Sequence, residues 1–332
     1  MSAVRNRFLG LLAAGAMLAA AGGALAQEKV ELILNFVASG DHAPYYYARK
    51  LGWYKQAGID LAIELGQGSG VAVQRVGIGK NQIGIADLGN AMVGRGKDAD
   101  VVAVMAIYAN SPYGMYWLKS SGITGPKDLA GKRYGVPPGD AGRIMWPAFA
   151  RAAGIDPAGV QFVNVAPLAK LQALLGRSID FTQSFYSGHA FFAKGLGADM
   201  GFLKWKDVGI NPYSNAIIAN GAFMKAKPAV VEGFVRVTQR AFRACWDNPD
   251  PCLQALLADN SGLTLEGEQA TWKLVRELMD DAAFRGEALG WFDSKRVASD
   301  YELVEKYFSL DKKFDPASIV SNRFLDRAIR LP

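Results

Sequence analysis

The chain has 332 residues, half of them hydrophobic and a fifth charged, with a formal net charge of +6. That length holds two ordinary domains, each with apolar material for its own core. The Lys and Arg residues are scattered without interleaved aromatics, which argues against nucleic-acid binding. His42, His189, Cys245 and Cys252 show none of the usual zinc-ligand spacings, and no cofactor is implied.

Residues 1–26 read as a secretory signal peptide. Arg5 and Arg7 precede an Ala-rich apolar run, and Ala24-Leu25-Ala26 is the small-x-small pattern of a cleavage site. A membrane anchor is the weaker alternative, because the run is short and no charged stop follows it. The expected product is a soluble, periplasmic protein beginning at Gln27.

Residues 30–35 form a first apolar strand, and Ser39 or Asp41 caps a helix that ends near Gly52. Strands over 59–65, 82–86 and 101–107 alternate with a helix over 71–76, which predicts an α/β layer with a largely parallel sheet. The pattern restarts with strands over 113–118, 133–136, 161–165 and 179–183. A helix over 140–151 carries Pro147 at a kink or a break. Residues 215–219 return as a strand, and 228–245, 265–278 and 299–307 are helical by apolar periodicity. One unit is thus inserted into another: 27–112 and 211–332 make the first lobe, with C-terminal helices, and 113–210 the second. In Cys245-Trp-Asp-Asn-Pro-Asp-Pro-Cys252 the turn signals permit a disulfide, and two reduced thiols are the alternative.

The run His42-Ala-Pro-Tyr-Tyr-Tyr-Ala48, with Leu51-Gly-Trp-Tyr54, Ala57-Gly-Ile59 and Gly68-Ser-Gly70, resembles a known opening. It is similar to that of the thiamine-pyrimidine-precursor, taurine and nitrate group of periplasmic solute-binding proteins. Residues 122–136 resemble the start of that group's second domain. The resemblance spans essentially the whole chain after residue 26. It implies a type II-like fold of two α/β lobes, each a mainly parallel sheet flanked by helices, with a ligand cleft between them. It also implies capture of a small molecule for an ABC permease and its ATPase subunit, and the two crossings between two α/β units predict a hinge-closing monomer. Independently, parallel strands place ligand loops at their carboxyl ends, and two crossings between lobes form a hinge.

On that basis Asn35 and His42 follow the first strand beside a helix N-terminus, where unpaired N–H groups and an imidazole could meet a ligand. Of Tyr45, Tyr46 and Tyr47 at most one, Tyr45 or Tyr46, reaches the cleft. Gly68 and Ser69 lie in a glycine-rich turn that is either an anion nest or a plain turn; no Gly-Lys-Ser/Thr follows, so it is not a phosphate loop. Asp87 and Asn90 are ligand contacts or helix caps. From the second lobe, Gly139, Asp140, Arg143 and Trp146 open a helix, Phe185 and Tyr186 end a strand, and Tyr113 sits at the crossing. Core packing is the alternative for each. Together these aromatics favour a planar heteroaromatic solute over nitrate or a small sulfonate.

Three functions compete. The first is transport of a thiamine-pyrimidine precursor or related ring, with Asp140 accepting its N–H donors. The second keeps transport with an aliphatic sulfonate, nitrate or aromatic carboxylate held by Arg143. The third is an enzyme, since the resemblance extends to cytosolic synthases that build the thiamine pyrimidine from pyridoxal phosphate and a histidine of their own. His42 resembles that histidine, yet their Cys-rich iron motif is missing from this sequence. No Gly-x-Ser-x-Gly elbow, zinc helix or dinucleotide fingerprint offers another catalytic route.

Overall fold

The computed structural model describes residues 27–308 and 310–332, so the signal-peptide expectation lies outside the described residues. Among the described residues ten strands make two five-stranded sheets. β1 (Glu28–Ile33), β2 (Ile59–Glu64), β3 (Ile83–Asp87), β4 (Val101–Ala106) and β10 (Asn215–Asn220) form the first, in the order β2-β1-β3-β10-β4. β5 (Tyr113–Leu118), β6 (Arg133–Val136), β7 (Gln161–Asn164), β8 (Phe181–Phe185) and β9 (Met200–Lys204) form the second, in the order β7-β6-β8-β5-β9.

Both sheets repeat one plan. Four strands run the same way and one runs against them: β10 is antiparallel to β3 and β4, and β5 is antiparallel to β8 and β9. The largely parallel sheet expected from alternation therefore holds in strand direction, but each sheet is mixed where the chain crosses over. Every residue of β3, β4 and β10 is buried, because helices cover both faces. β9 was not read from the sequence. It is a half-buried edge strand with Gly201 in it, so it lacks an apolar run.

Two crossings join the sheets and lie side by side. The N–H groups of Ile107 and Tyr108 both donate to the Asn215 carbonyl, and Ser214 N–H donates to Tyr108. Helix Ser294–Tyr307 braces them: Asp300 accepts from Tyr213 N–H at 2.9 Å, and Arg296 donates to the Ala109 and Asn211 carbonyls. Helix Ala141–Ala152 runs unbroken through Pro147, which the sequence reading placed at a kink or break. Burial of Met145, Trp146 and Phe149 on either side of the proline offsets its lost hydrogen bond.

Pro228 opens the long helix Pro228–Asp247, whose apolar stripe packs chiefly on helix Ala43–Lys50 and the Tyr54 ring. Its last turn meets helix Asp250–Asp259 through the bridge Cys245–Cys252, with Cα atoms 5.9 Å apart. Among the described residues no helix is long and apolar enough to cross a membrane.

Candidate functional site

A cavity of about 740 Å³ opens where the carboxyl ends of β1, β2, β6 and β8 converge. The turn Pro167–Ala169 with helix Lys170–Leu175, helix His189–Leu196 and helix Leu265–Met279 supply further walls. The two units touch beside it, where Gly70 N–H donates to the Gly139 carbonyl at 3.1 Å. Gly68 makes this approach possible: its φ is +131°, and a Cβ there would sit 2.1 Å from the Gly139 oxygen.

The polar floor begins at His42, which is 1% exposed. Its Nδ1 accepts from Ser39 N–H at 3.2 Å, so Nε2 carries the proton and donates to Asn35 Oδ1 at 2.9 Å. Asn35 in turn donates to Asn215 Oδ1 at 3.3 Å. Burial pushes the imidazole below its usual range, outweighing Asp41 Oδ1 at 3.2 Å from Nδ1, and keeps it neutral. Both ring nitrogens are spent within the protein, so His42 shapes the floor by holding the Asn35 amide.

Two carboxylates flank this floor. Asp41 accepts from Ser39 Oγ at 2.5 Å and from the Tyr108 hydroxyl at 2.9 Å. Glu268 accepts from Gly40 N–H at 2.5 Å, and burial raises its carboxyl to about 7. Gly40 permits the contact, since a Cβ would come 2.9 Å from the Glu268 carbonyl.

The opposite wall is balanced differently. Asp140 caps helix Ala141–Ala152 by accepting from Gly142 N–H at 2.9 Å, and its other oxygen takes the Lys170 ammonium at 2.6 Å. Lys170 also donates to the Gln183 carbonyl at 2.8 Å, and both ends of the pair are 3% exposed. Gln183 is 1% exposed and its side-chain N–H₂ has no partner among the described residues, although it lines the cavity. A buried donor in that state is a place for a ligand acceptor. Phe36 and Phe185 provide flat apolar surface beside these groups.

Of the sequence-derived candidates, Asn35, His42, Gly68, Ser69, Asp140 and Phe185 line the cavity. The others do not, for separate reasons. Tyr45 packs edge-on against Phe242, 5.5 Å between ring centres, because its face of the helix Ala43–Lys50 turns to the core. Tyr46 and Tyr47 do not line it either; Tyr47 packs on Trp53. Asp87 caps helix Leu88–Arg95, accepting from the N–H and side chain of Asn90 and from the Ser214 hydroxyl; the Asn90 Nδ2 donates to Asp87 and to the Ala141 carbonyl, and its Oδ1 is buried without a partner among the described residues.

Tyr113 stacks on Trp205 at 4.3 Å, under the second sheet. Gly139 contributes the contact between units rather than cavity wall. Arg143 lies over Phe162 at 4.6 Å and donates to Asn164, and Trp146 donates to the Pro157 carbonyl at 2.9 Å. Beyond Ala141 the helix has rotated these two side chains away from the cleft. Tyr186 sits under the Lys204 ammonium in a small recess beside the crossings.

Sequence reasoning missed Lys170, Glu268, Phe36 and Phe191. A lysine inside the apolar segment Leu168-Ala-Lys-Leu-Gln-Ala-Leu-Leu175 was a readable signal for the first. Nothing local marks Glu268, which meets Gly40 across 228 positions.

The family described as NMT1/THI5 like matches residues 39–251. A 4-amino-5-hydroxymethyl-2-methylpyrimidine phosphate synthase from Legionella pneumophila is 25% identical over 90% of this chain and 93% of its own. A formylaminopyrimidine-binding protein from Halalkalibacterium halodurans is 23% identical over 86% of this chain and 90% of its own. Among solved structures, the alkanesulfonate-binding protein SsuA from Xanthomonas axonopodis pv. citri, bound to MOPS, superposes with a TM-score of 0.70. It is 11% identical, and the match covers 89% of this chain and 99% of that one, a likeness of fold. Two mixed sheets with helices on both faces are thus the architecture of the periplasmic binding proteins, and the chain belongs to the NMT1/THI5-like family.

Proposed function

We propose that this chain is the exported, monomeric solute-binding subunit of an ATP-driven importer, and that its solute is a planar, amino-bearing nitrogen heterocycle of the thiamine-pyrimidine-precursor kind. The two lobes close on the solute about the paired crossings and pass it to a permease and its ATPase.

The charge of the cleft carries the ligand reading. Asp41 and Glu268 stand on its floor, the buried Lys170 is already neutralised by Asp140, and Lys194 is exposed at the rim. No arginine lines the cavity among the described residues. An anion about 5 Å from the Asp41 carboxylate pays roughly 3 kcal/mol at an effective dielectric of 20. A ring amine gains there instead, donating to a carboxylate while a ring nitrogen or carbonyl takes the free Gln183 donor. This favours the heterocycle over a sulfonate, nitrate or carboxylate. It also moves the acceptor role from Asp140 to Asp41 and Glu268.

The name of the Legionella relative favours a second reading, a synthase that consumes its own histidine. Against it, His42 is buried with both nitrogens engaged, and both cysteines are tied in one bridge away from the cavity. Calorimetric titration with an aminopyrimidine, taurine, nitrate and benzoate tests the proposal. The aminopyrimidine should bind alone, and Asp41→Asn or Glu268→Gln should weaken it ten- to a hundredfold. Tighter binding of an anion, or pyrimidine formed on incubation with pyridoxal phosphate and iron, would reject it.

A further inference from the structure

Asp41, Glu268 and Gln183 lie on the cavity's floor, whereas its mouth carries, beside the exposed Lys194 and Glu266, Leu168 on the turn Pro167–Ala169 and Phe191 on helix His189–Leu196. These two side chains are 74% and 58% exposed, among the most exposed large apolar residues described. Behind them stand Leu171 and Phe192, both buried, and Leu263 lines the same cavity from the loop before helix Leu265–Met279. These five side chains give one part of the cavity wall an apolar surface that reaches solvent. The volume is more than one ring fills: about 740 Å³ is roughly five times the ~150 Å³ that a benzene-sized ring fills, and lies in the range of sites for larger ligands.

Resting on the binding reading above, we propose that the solute is an extended molecule. Its amino-substituted ring sits on the floor, and an apolar arm, aryl or alkyl, leaves through the mouth between Leu168 and Phe191. A bare pyrimidine would leave those side chains in water and much of the cavity wet. A solute with an arm covers them, and the buried apolar area adds affinity without a new polar contact.

Two probes with the same donors and acceptors separate the arm from the ring: 4-amino-2-methylpyrimidine and its 5-benzyl derivative. Each is titrated into the wild-type protein, Leu168→Ser and Phe191→Ser. Both substitutions are at exposed positions, so the core stays intact. The benzyl probe should bind the wild type about tenfold or more tightly than its parent. That advantage should fall below about threefold in Phe191→Ser, with the parent's affinity unchanged. Equal affinities of the two probes in the wild type, or equal losses for both in the variants, would overturn the arm and leave the ring reading standing. Failure of both probes to bind would remove the ring reading and the arm with it. Unchanged affinities together with slower uptake in vesicles carrying the permease would assign the mouth to permease docking, which also overturns the proposal.

Discussion

Lys170 and Asp140 form an ion pair that the fold cannot break cheaply. The ammonium lies 2.6 Å from the carboxylate, 2.8 Å from the Gln183 carbonyl and 5.1 Å from the centre of the Phe36 ring. Water reaches neither partner to any extent, so removing one leaves the other buried and uncompensated, at a cost of about 3–5 kcal/mol. Asp140→Asn keeps the acceptor that caps helix Ala141–Ala152 and strands only the lysine; Asp140→Ala loses the cap too, for about 1 kcal/mol more. Lys170→Met strands the carboxylate. The double variant Asp140→Asn/Lys170→Met removes both charges and should cost less than the sum of the singles by about 2 kcal/mol or more.

Urea unfolding followed by tryptophan fluorescence reads this cycle, since Trp146 lies on the capped helix. Solute affinity should change little in the double variant, which leaves the net charge of the cleft as it was, at temperatures where it stays folded. Single variants within about 0.5 kcal/mol of wild type, accompanied by a ten- to hundredfold loss of affinity in the double variant, would refute the reasoning. Asp140 would then face the solute, as its sequence position alone suggests.

The raised carboxyl of Glu268 means that the folded, solute-free protein holds a proton there from about pH 4.5 to about 7. Its contribution is full below the unfolded value and is lost as pH rises through that window, on the order of 3 kcal/mol. Glu268→Gln should therefore be less sensitive than wild type in melting temperatures compared at pH 5 and 8, and identical slopes would count against the burial argument. Asp300, also raised to about 7, adds in the same direction, whereas the lowered His42 opposes it by losing stability as pH falls below about 6.5.

Replacing both Cys245 and Cys252 by Ser should lower unfolding free energy by about 2–3 kcal/mol, as expected for a short loop, with solute affinity unchanged in titration. In Gly68→Ala the new methyl meets the Gly139 carbonyl, so closure should be blocked. Small-angle scattering should show no shrinkage with a solute that compacts the wild type, and normal compaction would show that the loops yield.

The strands were legible because apolar runs bounded by Gly, Pro and Asn mark them, and the ends of β1, β2 and β8 led to Asn35, Gly68 and Phe185 on the cavity wall. Helix Asp250–Asp259 was hidden for a local reason. Pro249 and Pro251 read as a turn, yet proline in the first turn also starts a helix. The site's chemistry was hidden for a longer-ranged one. Sequence position shows which residues stand near a strand end but not how the next helix is rotated, and one turn beyond Ala141 separates a cavity residue from Arg143 and Trp146 in the packing.

Nor does sequence position reveal which charges are already spent. Asp140 and Arg143 look available to a ligand, and the fold gives them Lys170 and Asn164. Asp41 looks like a helix cap and Glu268 like one more acid on a polar helix face, yet among the described residues neither has a Lys or Arg partner in the cleft, and the His42 beside Asp41 is neutral. Selectivity in such a cleft is therefore set by subtraction: the charge a solute meets is what tertiary pairing leaves over, and here the remainder is acidic.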